Sequence, residues 1–453
     1  MEINTAIVAG TGKSGTTATK LLVNHGVKVY LFDENKDRDI EAIKEKTGDS
    51  ELVQIELGEL GEDALSASQL MVISPGIPVD APFTDVVRNA GIPIWSEIEL
   101  AYHYGKGKIA AITGTNGKTT TTALVGEIVK AHNAKTIVVG NIGIPYTELC
   151  DTTDDDSDTV AEISSFQLET VIDFHPNVSA ILNLTPDHLN RHYTFENYGN
   201  VKFSITKNQT MDDVTVLNYD DEHTRAMGEK AKDHCHVVYF SRLEKPAGGV
   251  YVEDGDIILE DGDKKINVLA IKDLKLMGAH NVENVLAAVG ISYYMGVPVD
   301  VIRDVATSFK AVAHRIEYVD TVDGVAYYND SKGTNPDAAI KGIQAMVAPT
   351  FLIGGGYDKG SEYDEWIEAF DGKVKWLVLI GQTAQKIADC AKRHGFNSII
   401  FEENLQDAVA YCHENAVDGD AVLLSPACAS WGQFDNYEQR GDMFKEYVRS
   451  YKE

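Results

Sequence analysis

Short apolar runs recur along the chain, each followed by a stretch long enough for a helix and then by another run. Ala6-Ile7-Val8-Ala9 opens the series. Gly10-Thr11-Gly12-Lys13-Ser14-Gly15 follows, then a predicted helix from about Thr16 to His25, then a run over residues 28–32 that ends at Asp33. Runs at residues 71–73, 108–112, 159–161 and 179–182 keep the same rhythm, as do 325–328, 350–353, 374–380, 398–401 and 421–424. Strands alternating with helices predict βαβ units, and so an α/β protein with mostly parallel sheets. Residues 237–276 depart from this, because short β-like runs alternate there with Gly-Asp turns and predict a small antiparallel excursion. Tyr104-Gly105-Lys106-Gly107-Lys108 reads as a linker, and the last series of strands begins near Ala313. Three domains are therefore expected, over residues 1–104, 105–312 and 313–453.

Length agrees with this division, since 453 residues exceed the roughly 100–200 of one ordinary domain. The formal net charge of -30 repels nucleic acid and anionic lipid, so neither is an expected partner. It also disfavours an anionic nucleotide unless Lys, Arg, Mg²⁺ and helix N-termini reverse the potential locally; its plainest reading is solubility. The five cysteines (Cys150, Cys235, Cys390, Cys412, Cys428) are scattered and form no Cys-x-x-Cys pair. That speaks against a disulfide framework and a structural zinc site, and fits a reducing cytosol. Met1-Glu2-Ile3-Asn4-Thr5 lacks the basic start and apolar core of a signal peptide, and no apolar run reaches the roughly 18 residues of a membrane span. The expectation is a soluble, cytoplasmic, monomeric protein.

Candidate chemistry gathers where the predicted strands end. Residues 108–112 empty into Thr113-Gly114-Thr115-Asn116-Gly117-Lys118-Thr119-Thr120, and a helix follows to about His132. Gly117 lets backbone N–H groups wrap a phosphate, Lys118 adds a cation and Thr119 offers a hydroxyl to Mg²⁺, so the loop points to ATP. One position departs from the usual phosphate loop: Ile112 stands where its first glycine is expected. Mg²⁺ needs further oxygen ligands. Glu162 ends the next apolar run, and His188 follows another in Thr185-Pro186-Asp187-His188, where Pro186 fits a helix start. His188 and His192 have the i,i+4 spacing of a zinc pair, with no third ligand in support.

Near the N-terminus, strand, glycine turn, helix, strand and acid follow in the order of a nucleotide-binding βαβ unit, although a plain glycine turn explains Gly10–Gly15 equally well. Ser74-Pro75-Gly76 closes a later strand. In the last third, Asn329-Asp330-Ser331-Lys332-Gly333-Thr334-Asn335-Pro336, Gly354-Gly355-Gly356-Tyr357-Asp358-Lys359 and Ser425-Pro426-Ala427-Cys428-Ala429-Ser430 each follow a strand and could line one crevice. His314-Arg315 stands at the expected domain junction. The acidic run over residues 151–158 reads as a solvated loop.

Taken together, these strings resemble the Mur ligase family over essentially the whole chain. Residues 113–119 are similar to the ATP loop that these ligases share with folylpolyglutamate synthetase. Gly140-Asn141-Ile142-Gly143, Glu162-Ile163-Ser164-Ser165-Phe166-Gln167-Leu168 and residues 329–334 narrow the likeness to the D-glutamate-adding branch. Residues 425–430 with Asn436-Tyr437-Glu438-Gln439-Arg440-Gly441 discriminate most. The resemblance implies a Rossmann-like N-terminal domain, a central P-loop ATPase-type domain with a mostly parallel sheet and a Rossmann-like C-terminal domain. It implies that Gly114, Thr115, Asn116, Gly117, Lys118, Thr119 and Thr120 hold ATP, with Asn281, Asn284, Arg315 and Asp330 on the rest of the nucleotide. Thr119, Glu162, His188 and a carbamylated Lys202 would hold two Mg²⁺, and Lys118, Glu162, His188 and Lys202 would form the catalytic set. UDP-N-acetylmuramoyl-L-alanine would meet Gly12, Ser14, Asp33, Ser74, Gly76 and Asn141. D-glutamate and the transferring group would meet Lys332, Thr334, Lys359, Ser430 and Tyr437. Three rivals stand beside this reading. A nicotinamide oxidoreductase leaves the phosphate loop idle, a nucleotide-regulated binding protein has no use for Glu162 and His188, and a folylpolyglutamate-synthetase-like ligase is weakened by residues 425–441.

Overall fold

A computed structural model describes residues 3–141, 143–276, 278–310 and 313–452. Ile142 of the expected Gly-Asn-Ile-Gly motif and Val312 at the expected second domain boundary lie outside the described residues. Among the described residues, twenty strands build three sheets. β1 (Thr5–Ala9), β2 (Lys28–Asp33), β3 (Val53–Leu57), β4 (Leu70–Ile73) and β5 (Ile94–Ser96) form the first, in the order β3-β2-β1-β4-β5, all parallel. Ala6 to Ala9 are fully buried on both faces, which is why this strand reads as an unbroken apolar run.

The second sheet holds β6 (Lys108–Thr113), β7 (Ile137–Gly140), β8 (Asp158–Glu162), β9 (Val178–Ile181), β10 (Val214–Asn218), β11 (His236–Ser241), β12 (Gly249–Glu253), β13 (Asp256–Asp261) and β14 (Lys264–Ala270). Its order is β14-β13-β12-β11-β10-β9-β6-β8-β7. Among its described pairs, β12-β13 and β13-β14 run antiparallel and the rest parallel, so the expected excursion exists but continues the main sheet instead of standing apart from it. The third sheet takes β15 (Glu317–Val322), β16 (Val325–Asn329), β17 (Thr350–Gly354), β18 (Val374–Leu379), β19 (Ile399–Phe401) and β20 (Ala421–Leu424) in the order β15-β16-β20-β17-β18-β19. The α/β class with mostly parallel sheets therefore holds, with an antiparallel β15-β16 edge.

The chain divides into two compact units: residues 1–273 with 283–307, and residues 274–282 with 308–453. The first two sheets share a unit because one apolar cluster runs through both, from Val8 and Leu22 through Trp95 and Ile98 to Ala111, Val139 and Ala161. A buried polar seam reinforces it. Glu97 accepts from the Thr147 N–H (2.7 Å) and hydroxyl (2.9 Å), and Thr17 and Thr147 share a 2.9 Å bond. Glu99, wholly buried, accepts from the N–H groups of Ile172 (3.0 Å), Asp173 (2.7 Å) and Phe174 (3.0 Å).

Three local expectations need correction. The first helix spans Lys13–Asn24, starting three residues before the expected Thr16, because Gly12 already serves as its N-cap. Pro186 opens no helix; the chain stays irregular until Leu189–His192, since the N–H groups of Leu184 and Thr185 are held by Asp221 (2.7 Å) and the Thr115 hydroxyl (3.0 Å). The acidic run is only partly solvated, for Ser157 and Asp158 are buried where β8 begins. Among the described residues no helix is long and apolar enough to cross a membrane.

Glu99→Ala would remove the acceptor of three N–H groups at the seam, of which that of Phe174 is buried. It should lower the stability of the first unit by about 2–4 kcal/mol, read as a drop in its thermal midpoint, with a smaller loss for Glu99→Gln. An unchanged midpoint for the alanine variant would show that the seam contributes nothing.

Candidate functional site

In open parallel sheets, ligands bind beyond the carboxyl ends of the strands, where strand order reverses. In the second sheet β6 has β8 on one side and β9 on the other, so the residues after these three strands come together. The loop after β6 turns at Gly114 (φ +145°) and again at Gly117 (φ +84°), which caps the helix Lys118–His132. The left-handed φ at Gly117 favours glycine, and any β-carbon there would run into the Asn284 side chain.

The chain after β9 clamps this loop. The Asn183 carbonyl accepts from Thr115 N–H (3.0 Å), and its side chain accepts from Asn116 N–H (2.8 Å) while donating to the Asn116 carbonyl (3.0 Å). The Thr115 hydroxyl meets Tyr198 at 3.1 Å and donates to the Thr185 carbonyl (3.1 Å). Asn183 and Tyr198 are absent from the expected site residues, because their partners lie 67 and 83 positions away in sequence. Lys118 donates to the carbonyls of Gly114 and Thr115, each at 2.9 Å. Thr120 is buried, and Thr121 bonds Asn284 at 3.3 Å.

Lys202, on the helix Phe195–Phe203, is 1% exposed. Its ammonium donates to the Gly114 carbonyl at 2.9 Å and stands 4.8 Å from the Tyr198 ring centre. Burial first, and Lys118 second, hold its pKa well below the usual lysine value, while Asp187 and Glu162 oppose the shift. Glu162, buried at the end of β8, accepts from the Asn141 amide at 3.2 Å. His188 is half-exposed, adopts φ +52° and packs its ring 4.8 Å from Phe166. Burial lowers its pKa, against the pull of Asp187, and Lys118, Lys202 and Arg191 add to the lowering. Lys118, Glu162 and His188 thus each lie within electrostatic reach of Lys202. His192 turns away, bonding Ser165 (2.9 Å) beside Glu169 (3.5 Å), so the i,i+4 histidines form no metal pair.

In the first sheet the order reverses between β1 and β4, and residues 10–15 and 74–76 follow those strands. Gly10 has φ +102°, and a β-carbon at Gly15 would run into the Gly10 carbonyl. Gly12 is exposed and Ser14 half-buried, while the Ser74 hydroxyl is buried without a partner. Asp33 accepts from the Thr11 N–H (3.1 Å) and hydroxyl (2.6 Å), from Arg38 (3.2 Å) and from Asn35 N–H (3.0 Å). Its carboxylate therefore fastens the glycine turn itself. Lys13 reaches the Gly143 carbonyl at 2.6 Å, bringing the turn beside Asn141.

In the second unit, β16, β20 and β17 are neighbours, and the three loops that follow them are bonded together. Asp330 N–H donates to Leu424 (2.7 Å), Gly355 N–H to Pro426 (2.9 Å) and Tyr357 N–H to Ala429 (2.9 Å). Asp330 is fully buried and accepts from the Ser425 hydroxyl at 2.7 Å. Burial pushes its carboxyl up to about 7, although Ser425, Arg315 and Arg440 act to lower it. Arg315 belongs to the same unit, and its Nε is buried without a hydrogen-bond partner, whereas His314 is committed to Asn329 at 3.0 Å. Lys332 lies 5.7 Å from the Tyr437 ring, half-buried Thr334 two residues on, and Lys359 lies 5.2 Å from the Trp431 ring beside buried Ser430. Asn335 caps the helix Pro336–Ala345 as expected. Arg440, buried, donates to the Ser331 hydroxyl (2.9 Å) and carbonyl (2.8 Å) and to the Cys428 carbonyl (3.2 Å). It fixes two of the loops at once. Asn281 is buried, and its N–H donates to the Gly278 carbonyl at 3.0 Å; neighbouring His280 feels the charges of Lys341 and Arg315.

Three family models match consecutive stretches of the chain: the MurD-like N-terminal domain of Mur ligases over residues 4–96, the Mur ligase middle domain over 112–292 and the Mur ligase glutamate ligase domain over 314–428. The UDP-N-acetylmuramoylalanine--D-glutamate ligase of Lachnospira eligens is 55% identical over 446 residues, 98% of each chain. That of Lachnoclostridium phytofermentans is 51% identical over 99% of this chain and 98% of its own. The UDP-N-acetylmuramate-alanine ligase MurC from Thermotoga maritima shares the fold with a TM-score of 0.61 at 19% identity, covering 99% of this chain and 100% of its own. MurF ligase from Thermotoga maritima in complex with ADP does so with a TM-score of 0.59 at 16% identity, over 98% and 95%.

The buried Asp330 makes a pH prediction. Its folded pKa lies above the unfolded value, so its cost to stability is absent below the ordinary 3.8 and grows as pH rises toward about 7. Thermal unfolding of the second unit should therefore come more easily as pH rises across that window, and Asp330→Asn should flatten the slope. Each step of one in pH there costs at most about 1.4 kcal/mol. An asparagine variant with the same slope as the parent would remove Asp330 as its source.

Proposed function

The chain belongs to the Mur ligase family, and from that premise we propose that it joins D-glutamate to UDP-N-acetylmuramoyl-L-alanine using ATP, a step in peptidoglycan precursor synthesis. The observation that carries this reading is 55% identity to a D-glutamate ligase along 98% of both chains. The relatives' names favour a muramyl over a folyl acceptor. We place the reaction in the cytoplasm, with the chain acting as a monomer.

The residues fit the reaction's reagents. Residues 114–120 present a glycine-opened helix start, Lys118 and the Thr119 hydroxyl, a set suited to ATP phosphates. The buried carboxylate of Glu162, the Thr119 hydroxyl and the His188 imidazole suit Mg²⁺, which when bound would neutralise charge on the phosphoryl oxygens. The γ-phosphoryl group passes to the terminal carboxylate of the muramyl substrate, and the amine of D-glutamate attacks the resulting acyl phosphate and expels phosphate. Lys118 and Lys332 offset the repulsion between the anionic partners. The lowered pKa of His188 keeps its imidazole neutral, the form that binds a metal or accepts the ammonium proton. Gly12, Ser14, Asp33, Ser74, Gly76 and Asn141 would receive the uridine nucleotide. Asn281, Asn284, Arg315 and Asp330 would complete the ATP site, and Thr334, Lys359, Ser430 and Tyr437 would receive D-glutamate.

Lys202 has a separate role in this reading. Its lowered pKa makes the neutral amine more accessible than in an ordinary lysine. Attack of that amine on CO₂, with loss of one proton, gives a carbamate anion able to serve a second Mg²⁺.

Two measurements test these assignments. Phosphate release from ATP should require both UDP-N-acetylmuramoyl-L-alanine and D-glutamate, each omitted in turn; release without the amino acid, or equal rates with L-glutamate, would overturn the proposed reaction. Protein equilibrated with carbon-13 bicarbonate should show a carbamate resonance that Lys202→Arg lacks. A resonance that survives the substitution would place the carbamate elsewhere, and none in the parent would remove it.

A further inference from the structure

Cysteine spacing along the sequence speaks against zinc, yet the second unit brings one cysteine to a histidine and two carboxylates. Two helices flank β18. Asp364–Glu368 precedes it and carries Asp364 and Glu368 at i,i+4; Ala384–Arg393 follows it, with Cys390 and the capping His394 at i,i+4. A carboxylate oxygen of Asp364, the Cys390 sulfur and a His394 ring nitrogen all lie within 4.8 Å of one another. Asp364 Oδ1 is 2.8 Å from His394 Nε2, and the buried Cys390 sulfur lies beside the same carboxylate. On the other side of the ring, His394 Nδ1 faces Glu368 at 3.7 Å.

We propose that Asp364, Cys390 and His394 bind Zn²⁺ through Oδ1, Sγ and Nε2, with water completing the coordination and Glu368 orienting the imidazole. A tetrahedral zinc with bonds of about 2.0–2.3 Å holds its ligand atoms roughly 3.3–3.8 Å apart, so adjustments of about an ångström suffice. A carboxylate on the far nitrogen of a ligating histidine is the usual arrangement that fixes its tautomer. Binding displaces the Cys390 proton to solvent, and the thiolate, the carboxylate and neutral imidazole then balance the charge of the ion. The pairing competes with Arg393, 3.3 Å from Asp364 and largely exposed, which is able to swing into water. The ion would staple the two helices across β18. It would sit at the end of Ala384–Arg393 away from Thr383, whose hydroxyl is bonded to Gly356 N–H at 3.0 Å. A second trio, Glu99, His103 and Asp173, has no such capacity, because Glu99 is occupied by three backbone N–H groups.

The test uses the full chain, stripped with a chelator and titrated with Zn²⁺ against a chromophoric competitor, then separately with Co²⁺. One equivalent of zinc should bind, with at least a tenfold loss of affinity in both Cys390→Ser and His394→Ala. Cobalt should give a near-ultraviolet thiolate charge-transfer band that Cys390→Ser abolishes, a signature that Mg²⁺-type oxygen sites cannot produce. His394 is partly exposed, so His394→Ala keeps the test valid if a cysteine variant fails to fold. Absence of the band in the parent protein, or equal zinc affinity in parent and variants, would overturn the proposal.

Discussion

Lys202 carries an ammonium into a position almost closed to water, where an unpartnered charge would cost several kcal/mol. The Gly114 carbonyl accepts from it, and the same carbonyl also accepts from Lys118. Two cations converging on one oxygen repel each other, and that repulsion is the second cause of the lowered Lys202 pKa. The geometry is relieved by negative charge, which Glu162 and Asp187 provide from the protein and a bound phosphate would add. Placing Lys202 there requires the Gly114 turn, the Tyr198 ring and the Asn183 clamp together. The phosphate loop is therefore held by the residues around it as much as by its own glycines.

The same constraint explains how a chain with a net charge of -30 can be suited to anionic reagents. Far from the strand ends, carboxylates are spread over the surface or paired, as Asp154 with Lys135 at 2.6 Å. Around residues 114–120, two lysines and the helix start concentrate positive charge, and the low dielectric of a buried site makes each charge count for more. In the second unit, Arg440 and Arg315 surround a carboxyl that burial pushes up to about 7. There the cations keep a deeply buried acid tolerable.

What can be read from the sequence follows physical locality. The phosphate loop, Glu162 and the three loops after β16, β17 and β20 are legible because each follows an apolar run, and a parallel sheet sends every strand end to the same edge. β3, β5 and β15 escape the same reading: Gln54 and Glu56 interrupt the first, the second is three residues long, and the third alternates at an antiparallel edge. Asn183, Tyr198 and Arg440 act through partners 67, 83 and 109 residues away, a distance at which no spacing rule operates. Asp33 shows the limit from the other side. An acid at the end of β2 suggests a ligand, and the spacing gives no sign that its carboxylate also fastens the glycine turn through Thr11, Asn35 and Arg38.

Ile112 is the clearest case of a sequence anomaly explained by packing. A glycine expected at the head of the phosphate loop is replaced by a β-branched residue, which a tight turn would not accommodate. Ile112 does not lie in the turn. It is fully buried in β6, in register with Glu162 on β8 and Ala180 on β9, and its carbonyl accepts from Ile163 N–H at 2.8 Å. The strand runs to Thr113, and the turn falls to Gly114, whose φ of +145° and closeness to Leu182 admit no larger residue without a shift. Because β6 continues one residue past Ile112, Glu162, the last residue of β8, stands directly across from Ile112. The departure from the usual loop and the buried acid beside it are two consequences of one register.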